Sequence, residues 1–296
     1  MLFPMPIKKA CNHKANGVAL IMAIFIVAFI AVLAMVMFSH LERATYRAMS
    51  FMENIKAKGY AEGGLIWAYS QLERDWESRF NHVLIDPPNQ HSPITQDEGY
   101  RIESTIIPVQ NRYNINDLQS KEAEVLFVRL VQSTNPTLSY DRVQMIAHHI
   151  FLSVNRHYPL MHLDTLKLIP GMHPTIWAQL KPYLIALPGH VPVYVDVPLV
   201  PVLLTLSDTV SPEMAEAIKQ AVLKNPPASV QDFFDLGPVK MVNIPRTKVT
   251  TTCQFFIVKT EVKHAQLHYV LESLVERKIK QDQSVTFHVF WQRRTL

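Results

Sequence analysis

The longest apolar stretch of the chain begins at Val18 and ends at Phe38, and its 21 residues include no charge, proline or glycine. Because each helical residue adds about 1.5 Å, a helix of this length spans about 30 Å, the thickness of the hydrocarbon core of a bilayer. Every face of this helix would be apolar, which favours a membrane span over the alternative of a helix buried in a soluble core. The pattern therefore predicts a transmembrane helix near the N-terminus.

The helical pattern continues beyond the apolar run. Small or apolar residues recur at helical spacing at Leu41, Ala44, Ala48, Met52 and Ile55. An ordinary signal peptide would instead have a shorter apolar core, followed by a cleavage site of small residues. We therefore predict one helix over residues 18–75 that crosses the membrane and extends beyond it.

The middle of the chain reads as a loop, one strand and a series of helices. Residues 77–98 contain three prolines and no sustained period, which predicts a loop. Tyr100 to Val109 is typical of a strand. Helices are predicted near 118–133 and over 139–152, the second with Ser139 as N-cap and with Val143, Ile146 and Ile150 on its buried face. Short helices interrupted by prolines fill 158–236.

After Pro245 the period changes to the alternation that is typical of half-buried strands. Three strands are predicted, over 250–262, 266–277 and 284–291, which form an antiparallel meander. The predicted fold class is α+β: a long N-terminal helix packed on an antiparallel sheet, with a large all-α domain inserted after the first strand. The domain limits are then 76–112 together with 248–296 for the sheet domain, and 113–247 for the helical insert.

Charge and composition narrow the function. The net charge is +4, but Lys8, Lys9 and Lys14 precede the apolar run without any acid, so the remaining chain is nearly neutral. By the positive-inside rule this tail lies in the cytoplasm and the bulk of the chain outside, in the periplasm if the cell is Gram-negative. Near-neutral charge argues against general phosphate binding. Gly-rich nucleotide loops are missing, and Cys11 and Cys253 are too few for a disulfide scaffold.

A short basic leader, a glycine and then an apolar helix that merges into an amphipathic one resemble the type IV pilin and pseudopilin class. The resemblance implies cleavage by the prepilin peptidase after Gly17, so that 1–17 is a leader and Val18 is the first mature residue, which carries an N-methyl group. Most members have glutamate at the fifth mature position, where this chain has Met22. Among type II secretion minor pseudopilins, that absence is the rule in the protein K family.

Four later segments are similar to that family and lie in the same order. They are AEGGLIWA at 61–68, YNINDL at 113–118, the Pro-Gly segment at 163–189 and SVQDFFDL at 229–236. The resemblance implies a non-enzymatic subunit at the tip of the periplasmic pseudopilus, where it helps to initiate assembly, with Met22 marking the tip position. The implied partners are minor pseudopilins I and J, the major pseudopilin, the inner-membrane secretion platform and the prepilin peptidase. A minor pilin of a type IV pilus is an alternative.

A second alternative belongs to another class of protein. Residues 165–180 also resemble a helix-hairpin-helix, in which a Pro-Gly turn approaches a DNA phosphate. Only Lys167 and Lys181 are basic between residues 163 and 187, so we interpret the hairpin as a packing motif. Its predicted core residues are Leu166, Leu168, Ile169 and Ile176. No nucleic-acid partner is expected.

Thirteen histidines raise the question of a metal site. Six potential ligands lie within 26 residues: His148, His149, His157, His162, Asp164 and His173. Adjacent helical histidines point about 100° apart, and no HExxH motif or His-x-His pair is present. Members of the resembled family carry a carboxylate-rich calcium segment, but 147–164 retains only Asp164, too few oxygens for calcium. We predict no metal, no cofactor and no catalytic residue, and interpret Cys253 as a buried residue within a strand.

Overall fold

A computed structural model describes residues 13–80, 90–156 and 158–295 of the chain. The internal contacts divide the chain into two compact units, one that ends at Lys58 and one that begins at Gly59. Helix α1 (His13–Phe80) runs through this division. The first unit contains the predicted apolar run, and the second contains the remaining elements.

The structural elements of the second unit follow α1 in chain order. The strands are β1 (Gln90–His91), β2 (Thr95–Asp97), β3 (Tyr100–Pro108), β4 (Tyr113–Asn114), β5 (Leu184–Ile185), β6 (Val193–Tyr194), β7 (Val249–Thr250), β8 (Phe255–His264), β9 (Leu267–Ile279) and β10 (Val285–Thr295). The helices are α2 (Lys121–Thr134), α3 (Tyr140–Arg156), α4 (Pro174–Leu180), α5 (Val200–Leu203), α6 (Pro212–Lys224), α7 (Val230–Asp235) and α8 (Gly237–Lys240).

One antiparallel sheet has the strand order β1-β3-β8-β9-β10, with β2 also paired to β3. The first predicted strand thus joins the three C-terminal strands, because β3 pairs with β8 from Arg101 opposite Lys263 to Pro108 opposite Phe256. Helices α2 to α8 all lie, along the chain, between β3 and β8. The predicted fold class is confirmed. The limits of a separate helical insert stay a prediction.

The sequence encodes the ends of several helices locally. The side chains of Ser120, Ser211 and Ser229 accept hydrogen bonds from backbone N–H groups in the first turns of α2, α6 and α7. Proline in the first turn of α4 and α6 removes an N–H that has no partner inside the helix. These helices close around two apolar clusters, one centred on Phe127 and Ile146 and the other on Phe233 and Ile218.

Three sequence predictions about element limits were wrong. The loop at 77–98 begins later, because α1 continues to Phe80, and it contains β1 and β2; residues 81–89 lie outside the described part. The strand predicted over 250–262 is two elements, β7 and β8, so Cys253 is buried but lies between strands. The last two strands extend to Ile279 and Thr295. The sequence does not reveal β1, because a strand of two residues is too short to show an alternation of apolar and polar residues. Its pairing with β3 stabilises it instead.

Candidate functional site

The N-terminal half of α1 exposes the side chains of its apolar residues. Val18, Phe25 and Met35 are 61, 77 and 76% exposed, and most of the bulky apolar side chains up to Phe38 are similarly open. By length and composition this helix could cross a membrane, and the most apolar part of it is unburied. A continuous apolar surface of this size needs lipid or other proteins around it, because water solvates it poorly.

The predicted processing residues lie at the beginning of this surface. Helix α1 begins at His13, so the peptide bond between Gly17 and Val18 lies within helical backbone. Residues 1–12 of the predicted leader, including Cys11, lie outside the described residues. Met22 is 65% exposed and shares a shallow apolar groove with Ile21, Phe25, Ile26 and Phe29. Cleavage, N-methylation and the tip role of Met22 remain predictions.

The C-terminal part of α1 packs closely on the sheet. Leu65, Ala68 and Leu72 contact Ile106, Val258 and Val275 in one apolar cluster. Gly64 permits the closest approach. A Cβ atom at this position would collide with the Ser104 and Thr260 side chains, whose hydroxyl oxygens lie 2.9 Å apart in a hydrogen bond. The AEGGLIWA segment therefore places its second glycine where the helix crosses the sheet most tightly.

Arg277 on β9 links the C-terminal part of α1 to the sheet through hydrogen bonds. Its side chain is almost fully buried, and Nη1 donates to the Leu72 carbonyl and to the Asp75 carboxylate, each at 2.8 Å. Nη2 donates to the Cys253 carbonyl at 2.8 Å, and the guanidinium lies over the ring of Phe256. No motif in the sequence predicted this role. The available signal was a charged residue at an inward position of an apolar strand.

The Pro-Gly segment is a packing hairpin, as its sequence predicted. Gly171 has φ +86°, a value that favours glycine, and Leu166, Ile169 and Ile176 are buried. The prediction that Leu168 belongs to the core was wrong, because Leu168 is 88% exposed. Residues 163–168 form a 3-10 helix, whose period of three puts Leu166 and Ile169 on one face and turns Leu168 outward.

The hairpin geometry gives no support to DNA binding. The ammonium of Lys167 lies 2.6 Å from the Asp164 carboxylate, which neutralises it locally. The Lys167 ammonium and the Arg293 guanidinium together hold the pKa of Asp164 below its usual range. Because Lys167 is already paired, a phosphate at the turn would have to displace the Asp164 carboxylate from it.

The histidines are dispersed over different partners. His148 lies 2.8 Å from the Glu124 carboxylate, whereas its neighbour His149 faces the Pro170 carbonyl. His162 packs edge-on to Trp291, and His173 caps α4. His157 lies outside the described residues. Within the part of the chain that the structure describes, no three His, Cys, Asp or Glu side chains converge on a point that could hold a metal ion.

Comparisons with known proteins agree with this architecture. No family model matches the chain. The type II secretion system protein K of Klebsiella pneumoniae is 27% identical over 211 residues, which are 60% of this chain. The chain thus spans 64% of the length of that relative.

A solved structure has the same fold. A chain in the crystal structure of the GspK-GspI-GspJ complex from the enterotoxigenic Escherichia coli type 2 secretion system superposes with a TM-score of 0.64. The match covers 84% of this chain and 99% of that chain, at 16% identity. At this identity the similarity shows a shared fold, and it extends over almost all of that chain.

Proposed function

We propose that the chain is a minor pseudopilin of a type II secretion system, which caps the periplasmic pseudopilus and helps to start its assembly. One observation carries the proposal: α1 combines a lipid-compatible apolar half with a half that is fastened to an antiparallel sheet. The similarity to protein K of Klebsiella pneumoniae and to a chain of the GspK-GspI-GspJ complex supports it.

The proposed mechanism is mechanical rather than enzymatic. In the membrane, lipid covers the apolar half of α1. In a filament, the same surface packs against the helices of neighbouring subunits, so the transfer exchanges one apolar environment for another. The driving force for association is then packing rather than dehydration, as for helices within bilayers. A growing filament would push exported proteins towards the outer membrane.

Met22 supports the assignment to the tip. In the resembled class, a carboxylate at this position is thought to pair with the N-terminal ammonium of the next subunit towards the tip. A bare carboxylate in an apolar helix bundle is unfavourable unless it is paired. The first subunit has no subunit ahead of it, so an apolar residue such as Met22 fits there. We propose minor pseudopilins of the I and J types as neighbours, beside the major pseudopilin.

The proposed location is the inner membrane, with a single pass. The basic tail that contains Lys8, Lys9 and Lys14 would stay in the cytoplasm, where the peptidase removes it after Gly17. The sheet and the helices α2 to α8 would lie in the periplasm. The secretion platform in the same membrane would then extract the mature chain into the filament.

Cross-linking in cells tests the position in the filament. A photoreactive residue at Tyr46, which is 74% exposed on α1, should cross-link to the I-type and J-type subunits. Deletion of the gene should abolish secretion, and the plasmid-borne gene should restore it. Cross-links to the major subunit along the whole filament would contradict the tip position. Loss of surface pili with intact secretion would instead identify a minor pilin.

A further inference from the structure

A cavity between the two helical clusters contains polar groups that the proposed function does not use. It has a volume of about 310 Å³, at the lower end of the range of about 300–1,000 Å³ for ligand pockets. Four stretches of the chain form its walls: residues 113–126, residues 190–193, residues 205–206 and the chain around Lys248.

Apolar side chains cover part of the cavity wall, chiefly Leu126, Val191 and Leu206. The remaining wall is polar and carries both signs of charge. A site of this size suits a small molecule rather than a nucleotide or a second protein.

Two carboxylates line the cavity, Asp117 and the exposed Glu122, and Asp117 is the less exposed of the two. Its Oδ1 lies 2.8 Å from Nδ1 of His190, which is 62% exposed at the mouth of the cavity. The Asp117 side chain itself is only 19% exposed. Burial raises the pKa of this carboxyl group, although His190 and Lys248 oppose the shift. The charge on Asp117 is therefore poorly solvated, and a second cationic partner would stabilise it.

Lys248 supplies the positive charge. Its Nζ donates one hydrogen bond, to the Leu206 carbonyl at 3.1 Å, and an ammonium group has two further protons to donate. Burial lowers the pKa of Lys248, while the charge of Asp117 raises it. In the described part of the chain the two groups form no direct ion pair, although both line the same cavity.

Tyr113 supplies a hydrogen-bond donor to the cavity. The residue is 7% exposed, and none of the described residues forms a hydrogen bond with its hydroxyl group. Burial and the charge of Asp117 both raise the pKa of this hydroxyl, so it stays protonated and can donate. Tyr113 lines the cavity, so water or a ligand in the cavity can accept a hydrogen bond from this hydroxyl group.

We propose that this cavity binds a small zwitterion, a free apolar α-amino acid. Asp117 would hold the ammonium group, Lys248 and the Tyr113 hydroxyl would hold the carboxylate, and Leu126 and Val191 would contact the side chain. A molecule that carries both charges complements the partly buried charges of Asp117 and Lys248 without changing the net charge of the site. The proposal does not depend on the role in secretion.

Thermal unfolding of the full-length protein in detergent tests the proposal, with L-leucine as the probe. A ligand that binds only the folded state raises the melting temperature by mass action, so millimolar leucine should raise it by several degrees. Leucinamide, which lacks the carboxylate, and N-acetyl-leucine, which lacks the ammonium group, should have no effect. Equal effects of all three compounds, or no effect of valine, leucine, methionine or phenylalanine at about 10 mM, would overturn it.

Variants locate the binding. Tyr113→Phe should weaken leucine binding about fivefold, the effect of one hydrogen bond, and should fold normally because the hydroxyl has no protein partner. Lys248→Met should weaken binding about tenfold or more, since it removes a charged donor. Lys167→Met, which removes a lysine outside the cavity, is the matched control and should bind as the wild type does. Unchanged affinity in Tyr113→Phe and Lys248→Met would contradict the assignment.

Discussion

Glycine at position 17 stands at the proposed cleavage site, and its lack of a side chain is what the peptidase would require. We expect Gly17→Leu to block cleavage and leave the precursor in the membrane. Leucine also strengthens the helix at this point by about 1 kcal/mol relative to glycine, which opposes the local unwinding that cleavage of a helical bond needs. The measurement is the intact mass of the purified chain.

Gly59→Leu is the matched control for this experiment. Gly59 also lies within α1, and a Cβ atom added there meets no other atom within 4 Å. This variant should be processed normally. If the chain with Gly17→Leu had the mature mass, beginning at Val18, the proposed leader would be wrong.

Met22 distinguishes a tip subunit from a subunit of the shaft. Met22→Leu should leave secretion unchanged, because both side chains are apolar and similar in volume. Met22→Glu should impair initiation only mildly, since an unpaired carboxyl group in an apolar environment becomes protonated. A secretion assay measures both variants. Improved incorporation of the Met22→Glu chain along the filament would contradict the tip position.

At the scale of elements, the contact between α1 and the sheet depends on one of two adjacent glycines. Gly64→Ala should lower the free energy of unfolding by about 1–3 kcal/mol, because the new methyl group displaces the buried Ser104 and Thr260 side chains. Gly63→Ala is the control: it meets open space and should stabilise the helix by up to about 1 kcal/mol. Thermal unfolding compares the two. Equal effects would mean that the helix does not pack as described.

Strand β8 carries a carboxylate whose ionisation should stabilise the sheet. Lys259, Lys263 and His268 surround Glu261, and the Lys259 hydrogen bond is the main cause that lowers its pKa to about 2. Because the folded-state pKa is below the unfolded value of about 4.3, the stabilisation is complete above about pH 4.3 and is lost as the pH falls towards 2.

Glu261→Gln tests this contribution. The pair with Lys259 is partly exposed, so the loss at pH 7 should be below about 1 kcal/mol. The difference between the variant and the wild type should shrink progressively between about pH 4.3 and 2. Unfolding free energies at several pH values measure it. A difference that stays constant down to pH 2 would show that the carboxylate charge has no part in it.

At the scale of the whole molecule, we expect stability to be independent of calcium. The segment 147–164 contains one carboxylate, Asp164, which already pairs with Lys167. Neither EDTA nor millimolar calcium should change the melting temperature, because only a ligand that prefers the folded state raises it. A calcium-dependent rise of several degrees would show that the helical part holds a site formed by other oxygens.

Local patterns determined much of this protein from the sequence. The apolar run from Val18 to Phe38 needs no tertiary partner to be recognised, because lipid selects composition and length alone. The alternation in β9 follows from a sheet with one buried face, and serine N-caps such as Ser120 act within a single turn. The fold class was accessible for the same reason: it depends on the order of such locally encoded elements.

The tertiary structure alone decided which residues meet across long separations. Arg277 is about 200 residues from its partners Leu72 and Asp75, and the cavity brings Lys248 to the distant segment that contains Tyr113 and Asp117. No periodicity marks such contacts, because a buried polar group is defined by the partners that replace its water, and those partners exist only once the chain has packed.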